Sequence, residues 1–277
     1  MKGLIGLLLV LLTNNIRAQY YYKDILLTRQ TNENWKVFKE NRISSVKLIS
    51  LENNGAPTEG FECRQTVAGD FSAIETYTRS NSSTVSNLVA FYDPKGLLTK
   101  TVDTSDTYQS TSEYEYDAEA RIISITNTSV ETDNHLRNTE KHIWKYNQQS
   151  VPASMLKIKD DTDTTYVQFI IDEKGNITEE RSVRKGNKLP VIYYYYGDAN
   201  MLTDIVRYNA KAQRLLPDYI FEYSNGRLSS MIFVPGGSSD YQKWLYQYDE
   251  KGLKKRDNCF NKRKELLGKI EYQYTYK

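Results

Sequence analysis

The chain has 277 residues, with 37 Lys and Arg, 35 Asp and Glu, two His, two Cys and 23 Tyr. So few His and Cys exclude a zinc cluster or a dense disulfide framework, and 14 Gly with 6 Pro exclude collagen-like and Pro/Gly-rich disordered classes. Hydrophobic residues make up 39% of the chain, enough for a sizeable core.

Met1-Lys2-Gly3 supplies one positive charge, Leu4 to Leu12 is apolar apart from Gly6, and Thr13 to Ala18 turns polar. This reads as a secretory signal peptide over residues 1–18, with cleavage near Ala18. The apolar run is far short of the roughly 20 residues that a spanning helix needs, and no later run is longer, so no membrane span is expected. The mature protein is therefore expected to be exported, periplasmic or extracellular. Cleavage removes Lys2 and Arg17 and no acid, leaving equal numbers of basic and acidic residues. A balanced chain has no bulk attraction to nucleic acid, and no nucleic-acid partner is expected.

Residues 19–86 are irregular. Tyr20-Tyr21-Tyr22, Trp35-Lys36-Val37-Phe38, Arg42 to Ile49 and Ala73 to Tyr77 read as strands, and helical periodicity is poor throughout. This region is expected to be an N-terminal β cap on the remainder of the chain, since end units of stacked repeats are atypical.

Residues 87–277 carry an internal repeat. The last residue of an aromatic-rich segment, just before a turn, falls at Tyr92, Tyr116, Tyr146, Ile171, Tyr196, Tyr223 and Tyr248, at intervals of 24 to 30 residues. A turn comes next, opened by residues such as Asp93, Asp117, Asp172 and Asp249, whose carboxylates bond nearby amides. Gly96, Gly175, Gly226 and Gly252 stand near the turn ends, where a positive φ is needed. An aliphatic residue (Leu97, Ile122, Ile177, Leu202, Leu228, Leu253) then starts the return strand. Each unit is a predicted β-hairpin, and Asn200 to Leu216 reads the same way. The fold class is all-β, a long antiparallel meander of repeated hairpins forming a curled or open single sheet.

The pattern aromatic-x-Tyr-Asp-x-x-Gly-x-(Leu/Ile) resembles that of YD-repeat (RHS-type) secreted bacterial proteins. That resemblance implies a continuous curling hairpin sheet, export and no intrinsic catalysis.

Motifs for chemistry are scarce. His135 and His142 have no third ligand near them and are expected to be exposed strand residues; no metal site and no cofactor are expected. No nucleophile elbow, P-loop or dinucleotide fingerprint occurs. Tyr193, Tyr194, Tyr195 and Tyr196 are consecutive, so they must point to both faces of a strand. They are the candidate binding surface. Cys63 and Cys259 meet only if the ends of the sheet curl together. The reading is an exported, non-enzymatic binding or scaffold module at the cell envelope, with a glycan or an envelope protein as partner. The alternatives are an accessory or immunity-type protein of a larger repeat system, and a carboxylate-dependent glycoside-cleaving enzyme.

Overall fold

The computed structural model describes residues 20–80, 85–235, 238 and 240–277; the expected signal peptide lies outside them. One α-helix, α1 (Lys23–Glu40), comes first. The first strands are β1 (Ile43–Glu52), β2 (Glu62–Val67), β3 (Ala73–Arg79), β4 (Val85–Tyr92), β5 (Leu98–Ser105) and β6 (Tyr108–Tyr116). Next are β7 (Ile122–Glu131), β8 (Arg137–Tyr146), β9 (Pro152–Lys159), β10 (Asp163–Ile171), β11 (Ile177–Arg184), β12 (Asn187–Lys188) and β13 (Ile192–Tyr196). The last are β14 (Leu202–Asn209), β15 (Arg214–Ser224), β16 (Arg227–Phe233), β17 (Gln242–Tyr248), β18 (Lys254–Asn261) and β19 (Leu266–Tyr276).

The expected open or curled sheet is overturned. Each strand pairs antiparallel with its successor, and β1 pairs with β19 as well as with β2. The closing seam runs from Ile43↔Tyr276 to Glu52↔Gly268. Strands β12 and β13 both lie along β11 and are two pieces of one stave, interrupted around Pro190, which has no amide proton for the ladder. Among the described residues the result is a closed up-and-down barrel of eighteen staves. The boundary at residues 86–87 falls inside β4, so both sequence regions contribute staves to one wall.

Curvature comes from a recurring irregularity. Register shifts fall immediately before the turn at Tyr92, Tyr116, Tyr146, Ile171, Tyr196, Tyr223 and Tyr248. A bulge bends its strand and increases twist, and bends repeated at one end of successive hairpins bring the first and last strands together. Closure then removes both free edges.

The turns are built alike. Asp93 Oδ1 accepts the Lys95 and Leu97 amides at 2.9 and 2.8 Å, and Asp117, Asp172 and Asp249 hold theirs in the same way. Tyrosines then staple neighbouring hairpins. The hydroxyl of Tyr116 donates to Leu98 O, Tyr146 to Ile122 O, Tyr223 to Leu202 O and Tyr274 to Lys254 O, all at 2.8–2.9 Å. Each such bond contributes about 0.5–1.5 kcal/mol.

Trp35 to Phe38, read as a strand, are the last turns of α1. At roughly 1.5 Å per residue the helix is about 27 Å long, and it crosses the turn-end mouth of the barrel. Its first residues sit in a core of Trp144, Met155, Phe169, Tyr194 and Tyr219, from β8 to β15. Its last sit in a second core with Val46, Ile74, Tyr92 and Ile270, from the opposite wall. Trp35 stacks on Tyr92 (5.9 Å between centroids) and donates from Nε1 to Phe71 O at 2.8 Å, while Asn32 Oδ1 accepts the Leu98 amide. Arg29, Gln30, Glu33, Asn34 and Lys36 face solvent.

The closure leaves Cys63 and Cys259 as free buried thiols. They lie on β2 and β18, with β1 and β19 between them, so curvature alone does not join them.

Gly96 has φ +86°, and a Cβ there would collide with the Trp35 ring. Gly96→Ala is expected to lower stability by more than about 2 kcal/mol, combining backbone strain with a clash. Gly226→Ala at φ +73° meets nothing within 4 Å and should lose only about 1 kcal/mol. Equal losses in urea unfolding would show that Trp35 does not bear on the Gly96 turn.

Candidate functional site

The N-terminal end of α1 has no side-chain cap of its own. Its exposed amide donors are met by the barrel wall instead. Glu180 on β11 accepts from Tyr21 N at 3.0 and 2.9 Å and from Tyr22 N at 3.1 Å, a carboxylate placed where the helix dipole favours negative charge. Tyr194 donates its hydroxyl to the same carboxylate at 2.8 Å. Beside it runs a chain of charges. His142 Nδ1 lies 2.5 Å from Asp24 Oδ2, His142 Nε2 lies 3.0 Å from Glu140 Oε1, and Lys157 Nζ lies 2.6 Å from Glu140 Oε2.

His142 is buried, against the expectation of an exposed strand residue, because its β8 position shares the inward face with Trp144. His135 sits exposed at the β7–β8 turn with φ +55°. Among the described residues no three His, Cys, Asp or Glu side chains are grouped to hold a metal ion.

Towards the other end of the barrel the inner wall becomes polar. Two cross-strand rows define it: Thr101–Ser112–Asn127–Glu140 and Asp103–Ser110–Ser129–Asn138. Asn127 Nδ2 donates to Ser110 Oγ and Ser112 Oγ at 3.1 and 3.0 Å. Asp103 accepts from Ser86 Oγ at 2.7 Å and Tyr108 OH at 3.2 Å. These residues are half-buried on strands whose outward neighbours are also half-buried or exposed, so solvent reaches both sides of the wall. Barrels of roughly 16–18 strands leave an aqueous lumen, and here α1 and the aromatics fill only the turn end.

The outer wall carries charges beside an apolar cross-strand row of Ile143, Leu156, Tyr166 and Val183. Lys47, Arg64, Glu75, Glu113, Glu115, Lys141, Lys145 and Arg181 alternate with the inward residues of their strands and are exposed. Ion pairs such as Glu62–Arg79 at 3.0 Å and Arg256–Glu271 at 2.6 Å join neighbouring strands.

The four candidate tyrosines are divided between faces. Tyr194 is fully buried and Tyr196 points inward beside it; Tyr193 is half-buried on the outer face, and Tyr195 is 47% exposed there. The polar inner rows were missed because Ser, Thr and Asn at alternate strand positions look like an ordinary solvated face. Only the side of the wall to which they point distinguishes the two.

A scan against protein-family models finds no match, and a search of curated proteins finds none. Two solved structures are similar in part. A porin-like protein from Bacteroides uniformis is 9% identical with a TM-score of 0.40, covering 85% of this chain and 97% of its own. A porin-like protein from Bacteroides vulgatus is 10% identical with a TM-score of 0.28, covering 85% and 98%. Neither is a YD-repeat protein. With no family match and a sheet closed on itself, the resemblance to YD-repeat proteins is withdrawn: short Tyr–Asp turns recur here as hairpin punctuation without that family's architecture. No helix among the described residues is long and apolar enough to cross a membrane.

The charge chain makes stability depend on pH. Burial pulls the His142 pKa down, but Asp24 and Glu140 prevail and hold it at about 9, above its ordinary 6.5. Burial would raise Glu140, yet hydrogen bonds from His142 and Lys157 hold it at about 2. Glu180 is pushed up to about 7 by burial, against the opposing donors. A raised pKa means tighter proton binding in the folded state. The His142 contribution is therefore complete below about pH 6.5 and is lost as pH rises to about 9, a change on the order of 3 kcal/mol. Glu180 adds a loss of the same sign between about pH 4.5 and 7. Urea unfolding should show stability falling from pH 6.5 to 9, and His142→Gln should flatten that fall. An unchanged slope in the variant would remove His142 as its source.

Proposed function

We propose that this protein is an exported, non-enzymatic binding barrel that works in water and takes a polar ligand against the inner wall of β5–β8. The exposed charge on the outer face carries this reading. A strand wall in lipid needs an outward apolar band about 25 Å tall, and one Lys or Arg at its middle costs about 2–4 kcal/mol. Here Lys47, Lys141, Lys145 and Arg181 all point outward and are exposed. These exposed charges support a barrel that works in water.

Binding is favoured over catalysis by the state of the ionisable groups. Asp103, Glu140 and His142 are each engaged by two neighbours. An acid or base poised for proton transfer needs a free lone pair or proton directed at substrate. The hydroxyl and amide rows instead offer many donors and acceptors at fixed strand spacing, suited to a hydroxyl-rich ligand or to a polar segment of an envelope protein. Export rests on the signal-peptide reading of residues 1–18.

Two measurements test this. The mature protein should remain in the aqueous phase on detergent-phase partition and open no channels in planar bilayers; stepwise conductance would overturn the soluble reading. Native mass spectrometry of protein drawn from its own envelope should show a co-purifying mass that is diminished in Asn127→Ala. Bare protein alone would count against an inner-wall ligand.

A further inference from the structure

Four tyrosine staples close seams at the turn end of the barrel, and the seam at Tyr248 carries a hydroxyl that makes none. Ile171 has no hydroxyl to offer, Tyr92 stacks on Trp35 and makes no staple, and Tyr196 packs into the core beside Tyr22. Tyr248 donates no hydrogen bond among the described residues, whereas Tyr223 and Tyr274 on either side are both stapled. Strands β16 and β17 pair only over Ser230–Phe233 and Gln242–Leu245. Their turn ends, Arg227–Ser229 and Tyr246–Tyr248, stand apart without a bridging bond.

A cleft of about 420 Å³ occupies that gap, within the roughly 300–1,000 Å³ of small-molecule sites. Asn225, Arg227, Tyr246, Tyr248, Asp249 and Glu250 line it. The Arg227 guanidinium lies 6.0 Å over the Tyr248 ring. Asp249 Oδ1 is taken by the Lys251 and Leu253 amides, which leaves its second oxygen available. The Tyr246 hydroxyl meets only the Met231 sulfur at 4.0 Å.

We propose that this cleft between the 223–228 and 248–253 hairpin tips binds a neutral saccharide unit. Its chemistry selects that class. An anion entering beside Arg227 also meets two carboxylates, and a cation drawn to the carboxylates meets the guanidinium. A neutral polyol satisfies both kinds of group, because each hydroxyl donates and accepts. The Tyr248 ring offers a flat apolar face for the ring carbons of a pyranose, whereas the Tyr246 ring is covered by Lys254 Nζ, 4.3 Å from its centroid. The cleft lies on a different sector of the wall from β5–β8, so it stands or falls separately from the inner-wall reading.

The test is saturation-transfer NMR on the mature protein with maltotriose, cellotriose and tri-N-acetylchitotriose, and with trigalacturonate as the charged comparison. At least one neutral trisaccharide should bind in the millimolar range. Tyr248→Ala should weaken it by about tenfold or more, Tyr248→Phe should retain most of it, and Tyr208→Ala, at an exposed position on β14, should leave it unchanged. Circular dichroism of each variant guards against misfolding. The proposal is overturned if no neutral trisaccharide binds, if trigalacturonate binds as well as they do, or if binding survives Tyr248→Ala. Loss in Asn127→Ala alone would overturn the cleft and place the sugar on the inner wall.

Discussion

Everything in this molecule depends on the hydrogen bonds between β1 and β19. A long meander leaves a row of unpaired amides and carbonyls along its first and last strands, and such edges invite association with other chains. Here the bulges beside each turn accumulate bend until the two edges meet over Ile43–Glu52 and Gly268–Tyr276. Once they meet, the wall acquires an inside and an outside. Every alternating side chain is then assigned to one or the other.

An interior as wide as an eighteen-stave barrel cannot be filled by side chains from its own wall. The turn end is filled instead by α1, seated at its two ends in two separate cores. Apolar residues accordingly cluster at Ile25–Leu27 and at Trp35–Phe38, with Thr28–Asn34 polar between them. The middle of the helix bridges a mouth with solvent on one side and a polar lumen on the other. Glu180 and His142 fix the near end of this bridge by charge and hydrogen bonding, while Trp35 on Gly96 fixes the far end by shape.

The outer wall carries exposed charge, and away from the helix the inner wall is polar. Aromatic packing and a buried charge chain close one end, and hydroxyls and amides line the other. The two proposed binding regions arise from separate consequences of that design. The inner rows of β5–β8 exist because the lumen is incompletely filled, and the cleft at Tyr248 lies at a seam that no tyrosine staple closes.

The hairpins were legible from the order of residues alone. Aromatics two apart, Asx at the turn and an aliphatic return are local signals, and Asp93 or Asp249 acts on amides two and four residues away. The helix was not legible, because a segment docked only at its ends shows no continuous apolar stripe, although Lys23–Glu40 contains neither Gly nor Pro. Nor was closure, since alternation within strands carries no information on whether the first strand meets the last. His142 reads as an exposed position in the sequence, and only the curvature of the wall turns it inward. The amino-acid order by itself determined where the chain turns and which residues share a face. Only the tertiary structure decided which face was the interior, because that depends on bend summed over the whole sheet and on a helix that no local pattern connects to it.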